Sequence, residues 1–127
     1  MVRVKAPRAD YWAVEFGNYL CAAMDYRYRL CSTNCHHAVR EEDGELLLVV
    51  SHDAPGLPNW LDPSGHNAGY ITVHRIGADG CPTPSCEQML AADLADYLAA
   101  DVKTMDKDGR RRELAALRLG VMRRFGY

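Results

Sequence analysis

The run Leu46-Leu47-Leu48-Val49-Val50 restricts the fold more than any other stretch, because no position in it is polar. A strand with one solvated face alternates apolar and polar residues, so this run reads as a central strand covered on both faces. The next segment is its opposite. Residues 52–66 hold three prolines and two glycines together with Asp53, Asn59 and Asp62. Proline fixes φ and glycine opens positive φ, which makes the segment irregular. Trp60, flanked by Leu57 and Leu61, gives it an anchor that a solvated linker does not need. A long loop of that kind is a packed or functional Ω-type loop rather than a spacer.

Strand-like segments surround this pair. Tyr11-Trp12-Ala13-Val14-Glu15-Phe16 is rich in aromatic and β-branched side chains. Residues 25–30 alternate, with Tyr26, Tyr28 and Leu30 on one face and Arg27 and Arg29 on the other, the pattern of a half-buried strand. Residues 69–76 alternate as well, Ile71, Val73 and Arg75 opposing Tyr70, Thr72, His74 and Ile76. Asp43-Gly44 signals a hairpin turn, since glycine supplies positive φ. Residues 1–10 read as an extended or frayed lead-in. After Cys81 the pattern becomes helical. Thr83 or Ser85, the latter with Gln88 as a capping box, is expected to cap a helix carrying Met89, Leu90, Leu94, Tyr97 and Leu98 at helical spacing. Residues 103–109 read as a polar connector. Residues 110–125 predict a second helix with Leu114, Leu117, Val121, Met122 and Phe125 in one stripe and Gly126 as its C-cap. Strands first and helices after is the α+β pattern: one domain over 1–127, with a sandwich-like core at 11–80 and a helical tail at 81–127.

The aromatic strand at 11–16, Asp25-Tyr26-Arg27-Tyr28, the Asp43-Gly44 turn and above all Pro58-Asn59-Trp60-Leu61 resemble a bacterial family. It is the domain-of-unknown-function family numbered 1214, companion of the family numbered 1254. The actinobacterial branch is the most similar, through His52, Pro55-Gly56, Pro58-Asn59-Trp60-Leu61-Asp62, Gly65-His66 and the ending Arg123-Arg124-Phe125-Gly126. The resemblance covers residues 11–80 best. It implies a jelly-roll-like antiparallel β-sandwich and carries no settled activity. Members of that family have further sequence ahead of the aromatic strand, where this chain has ten residues. An incomplete sandwich leaves a bare sheet margin, and bare margins are rarely left uncovered. A second chain, identical or not, is therefore expected to cover it, in a homo-oligomer or beside a larger subunit.

Composition narrows the function by exclusion. Of 127 residues, 48% are apolar and 25% charged, ordinary values for a globular domain and not those of a disordered one. A formal charge of −2 gives no pull toward nucleic acid or an anionic membrane. The exception is the tail, where residues 103–127 carry eight Lys/Arg against three acids. Without aromatic interleaving, Arg110-Arg111-Arg112 and Arg123-Arg124 read as a solvated helix face or a docking helix. No stretch approaches the run of about twenty apolar residues that spans a bilayer, and the N-terminus lacks the apolar core of a signal peptide. A cytoplasmic setting is therefore expected. Five cysteines there are expected to be free thiols, mostly buried as small hydrophobes.

The candidate site residues lie in and around the long loop. Asn59 and Trp60 line a small-molecule pocket in one reading; in the other, Trp60 plugs the end of the sandwich and Asn59 satisfies loop backbone. His52, His66 and His37 are further ligand-binding candidates. His52 and His66 with Asp53 are also the candidates for proton transfer, an imidazole oriented by a carboxylate. Cys35, His37, His52 and His66 do not follow a paired metal-ligand spacing, so neither metal nor cofactor is expected. The chain reads first as an accessory or small-ligand-binding sandwich domain. The alternative is a small enzyme with a His/Asp pocket, metal-assisted in one version.

Overall fold

In the computed structural model, which describes residues 1–126, seven strands form two sheets, followed by a 3-10 stretch and one long helix. The strands are β1 (Val2–Lys5), β2 (Tyr11–Asn18), β3 (Ser32–Asn34), β4 (Glu45–Val50), β5 (Trp60–Leu61), β6 (Gly69–Ile76) and β7 (Ser85–Cys86). One sheet has the order β5-β4-β1-β7 and the other β3-β2-β6. All pairs are antiparallel except β4 with β5. Helix α1 spans Lys107–Phe125.

Period-two patterning explains how the sheets meet. On β2, Trp12, Val14 and Phe16 are buried while Tyr11, Ala13 and Glu15 are only half-buried. They form one cluster with Val2 and Val4 of β1, Leu46 and Leu48 of β4 and Leu61 of β5. The opposite face of β4 is covered too: Leu47 and Val49 pack with Leu57 and with half-buried Leu94, Leu98 and Val102. The central, doubly covered strand is thus the one its unbroken apolar run called for. At the end of the β2–β6 ladder, Gly69 pairs with Asn18 and lies so close to β2 that a Cβ on it would fall 2.2 Å from the Gly17 carbonyl oxygen.

Several segments depart from the sequence-based expectation. Residues 25–30 form a turn rather than a strand, the Asp25 carbonyl accepting from Tyr28 N at 3.2 Å and Arg29 N at 3.0 Å. Tyr26 and Tyr28 are exposed and only Leu30 is buried. Tyrosine and arginine tolerate water, so their alternation does not demand a covered face. Of the two readings of residues 1–10, extended or frayed, the extended one holds at Val2–Lys5, where Val2 and Val4 alternate into the core on β1. The Asp43-Gly44 turn forms, with Gly44 at φ 81°, but β3 and β4 on its flanks belong to different sheets. Ser85 caps no helix; it lies in β7 opposite Arg3, and the cover over β4 is a 3-10 stretch, Ala91–Tyr97, that leaves Leu90 72% exposed.

Helix α1 begins earlier than its apolar stripe because Asp106 caps it, accepting from Gly109 N at 2.6 Å. Gly126 ends it at φ 74° in the expected left-handed conformation. Its stripe is only half covered. Leu114, Leu117, Val121 and Met122 are half-buried, Phe125 is exposed, and Arg110 is the helix residue that is buried. No helix among the described residues is long and apolar enough to cross a membrane.

Candidate functional site

The connection from β4 to β5 must bring the chain back parallel to where it started, pairing Val49 with Trp60 and Val50 with Leu61. A parallel return needs a crossover, not a tight turn. Residues 51–59 provide it, using Gly56 at φ 72° and Asn59 at φ 48°. Asn59 is 5% exposed and its amide pairs with the backbone of two other segments. Its Oδ1 accepts from Val39 N at 2.8 Å, and its Nδ2 donates to Val39 O at 2.6 Å and to Leu47 O at 3.3 Å. The side chain acts as a one-residue strand for Val39, which lies in none of the seven strands. Both N–H groups of the Asn59 amide and one acceptor position of its Oδ1 are thus used on the chain itself.

Trp60 is held in the same way. Its indole Nε1 donates to Ser51 O at 2.9 Å, and the Arg110 guanidinium lies 5.3 Å from its ring centroid. Arg110, 8% exposed, also donates to the Leu57 carbonyl and to the Glu113 carboxylate. The first turn of α1 is thus fastened over the Trp60 ring. Asp62 closes the segment, accepting from Arg29 at 2.9 Å and from Ser64 N at 2.8 Å. The second half of the long loop is a plug.

The first half is open. Residues 51–55 form one wall of a cleft of about 710 Å³, with Val49 and Val50 of β4 also lining it. The facing wall comes from residues 87–98, chiefly Met89, Ala91, Ala92, Leu94, Ala95 and Leu98. His52 and Asp53 are exposed on this cleft and Glu87 and Gln88 add polar groups across it. His52 Nε2 lies 3.1 Å from Asn67 Oδ1, an acceptor. That contact favours the tautomer with its proton on Nε2, leaving Nδ1 as the lone-pair atom. Chemically the cleft can take a small, largely apolar molecule and offer it one imidazole and carboxylates at the rim.

The structure brings His52 and Asp53 together at the cleft and leaves the other candidates elsewhere. His66 is half-buried in the far turn of the loop, its N–H donating to Pro63 O at 3.0 Å, and does not line the cleft. His37 is exposed on the turn after β3. Among the described residues, no group of three or more His, Cys, Asp or Glu is placed to share a metal ion, so Cys35, His37, His52 and His66 do not converge. All five cysteines are free. The expectation that most are buried is corrected: Cys21, Cys81 and Cys86 are exposed, because they lie in connections and on a two-residue edge strand. Cys31 is in the core, where burial pushes its thiol up from 9.0 to about 11 and keeps it protonated.

Two contributions are hidden in the sequence to different degrees. The 87–98 wall is legible in part, since a doubly apolar β4 requires cover from somewhere later in the chain. Arg110 reads locally only as an i,i+3 partner of Glu113, because the contacts that fasten it to the plug lie 53 residues away at Leu57 and at Trp60.

No protein-family model matches the chain, and no curated protein matches it. Among solved structures it is similar to an uncharacterized protein from Burkholderia cenocepacia, at 34% identity and a TM-score of 0.62. The match covers 65% of this chain and 23% of that one, so the chain spans less than a quarter of that protein's length.

Proposed function

We propose that the chain is a small-ligand-binding β-sandwich domain acting beside a larger partner, and that its ligand enters the cleft between residues 51–55 and 87–98. The observation that carries this reading is the cleft itself. It falls within the several-hundred-Å³ range of small-molecule sites, has alanine, leucine and methionine walls, and places few polar groups at its rim. Membership of the family numbered 1214, and a jelly-roll order for the complete sandwich, belong to the same proposal. They are supported by the Asn59-Trp60-Leu61 block and by the two-sheet architecture.

The partner half of the proposal is supported by β6. All eight of its residues pair with β2, and among the described residues nothing pairs with its other side. Tyr70, Ile71 and Ile76 are exposed along it, and no proline or lysine interrupts it. Edges of that length are usually blocked or used. A catalytic version of the cleft would take His52 Nδ1 as the base with Asp53 nearby, and would have to work without His66.

The test is a fragment screen followed by backbone NMR. Fragments that bind are expected to shift amides at 51–55 and 87–98, and Ala92→Trp, a change at an exposed wall position, should abolish those shifts without unfolding the chain. Hits that cluster elsewhere, or that survive Ala92→Trp, would remove the reading.

A further inference from the structure

A second cavity lies inside the sandwich and shares no lining residue with the cleft. Its volume is about 380 Å³. Val4 of β1 and Leu46 of β4 line it from one sheet, Val14 of β2 and Val73 of β6 from the other. The chain crosses from the edge strand β6 to the edge strand β7 at this side, and Cys81-Pro82-Thr83-Pro84 forms the remaining wall. Two prolines in that wall lack the N–H needed to zip onto β6, so the segment stands as a rim instead of closing the gap as a strand.

Arg75 also lines the cavity. It lies opposite Trp12 in the β2–β6 register, and residues paired across strands share a face. Trp12 is 1% exposed, so Arg75 points between the sheets and is half-buried there. Among the described residues its guanidinium has no hydrogen bond, ion pair or ring contact. Arg110, the other inward arginine, has a carbonyl, a carboxylate and an indole. A half-buried guanidinium with no partner is left to water or to an anion that enters beside it.

The geometry points to a binding site for a medium-chain carboxylate, its apolar tail between the sheets and its carboxylate on Arg75. A planar guanidinium matches a carboxylate in a bidentate pair. One cation suits one negative charge. A phosphate dianion would meet one cation, Arg75, with valine, leucine and proline around it and only Thr83 and Cys81 as further polar side chains. The mouth is at residues 81–84, where Cys81 and Thr83 are exposed.

Octanoate titrated into the whole chain tests the assignment. Saturable shifts are expected at the Val14 and Val73 methyls, with none at Leu94 or Leu98 in the separate cleft. Octanoate should also slow alkylation of Cys81 several-fold while leaving exposed Cys21, outside the cavity, unchanged. Arg75→Leu should weaken octanoate by about tenfold or more and leave 1-octanol binding in place, because a charge-assisted pair is lost and the apolar walls remain. Arg75→Lys, which keeps the charge and loses the fork, should fall between the two. No saturable shift at millimolar octanoate, shifts confined to Leu94 and Leu98, or equal binding by Arg75→Leu would each overturn it.

Discussion

The two halves of the loop after β4 are drawn from the same residue types and end in opposite states. Residues 57–62 are buried apart from half-buried Trp60, and the polar side chains among them, Asn59, Trp60 and Asp62, all hold fixed partners. Residues 52–54 are exposed and line a cleft. An irregular backbone can be buried only where other groups pair with its N–H and C=O. Asn59 and Arg110 supply that pairing for 39, 47 and 57, whereas among the described residues the side-chain pairing on 52–55 is the Ser51 hydroxyl donating to Asp53 O at 2.7 Å on the exposed side. Proline, glycine and Asx content thus marks irregularity without saying which side of the surface the chain is on.

The contrast can be broken most sharply at Leu61, which is 0% exposed. Leu61→Ala should lower the stability of the chain by about 2–5 kcal/mol in urea unfolding, as expected for a large-to-small change in a packed core. A loss below about 1 kcal/mol would mean that the second half of the loop is not core, given typical costs of surface changes. Asn59→Ala comes next. It leaves the Val39 N–H and C=O and the Leu47 carbonyl without their amide, at about 2–3 kcal/mol for buried polar groups left unpaired. Asn59→Gly loses the same bonds but accepts φ 48° freely, so it should be milder by roughly 1 kcal/mol. Equal losses would show that hydrogen bonding alone, and not backbone conformation, selects asparagine.

Arg110→Met tests how the plug is fastened to α1. The methionine keeps much of the packing over Trp60 and removes the bonds to Leu57 and Glu113, an expected loss of about 2 kcal/mol. Amide exchange should rise through α1 more than through β2, because Arg110 is the buried residue of that helix. Uniform exchange across both would mean the helix has other anchors.

What the sequence discloses depends on how far each interaction reaches. The unbroken run at 46–50 and the helical stripe at 114–122 speak through local pattern alone, and β4 and the body of α1 stand where it puts them, although α1 begins at Lys107 rather than at 110. Residues 25–30 mislead because Tyr26 and Tyr28 alternate like a covered face while remaining exposed. β1 reads as a lead-in because a four-residue strand has little period to show. At the site, Asn59 and Trp60 are legible as fixed points of the loop, but whether they hold a ligand or the chain depends on Val39, Ser51 and Arg110. None of those three is near them in a way that residue type or spacing reveals.

The smallest expected effect is at His52, and it sharpens the comparison from the other side. Its contact is with Asn67, another exposed side chain, and it contributes to neither core cluster. His52→Ala should therefore change stability by no more than about 0.5 kcal/mol, the usual range for surface positions. Against Asn59→Ala, further along the same loop, that is a several-fold difference in cost from side chains of similar polarity. If His52→Ala instead destabilises the chain as Asn59→Ala does, the open half is part of the plug, and the cleft is a gap in packing with no ligand to receive. If it leaves unfolding untouched but weakens fragments that shift residues 51–55, the imidazole is there for what enters the cleft, and the stability of the loop is carried entirely by its second half.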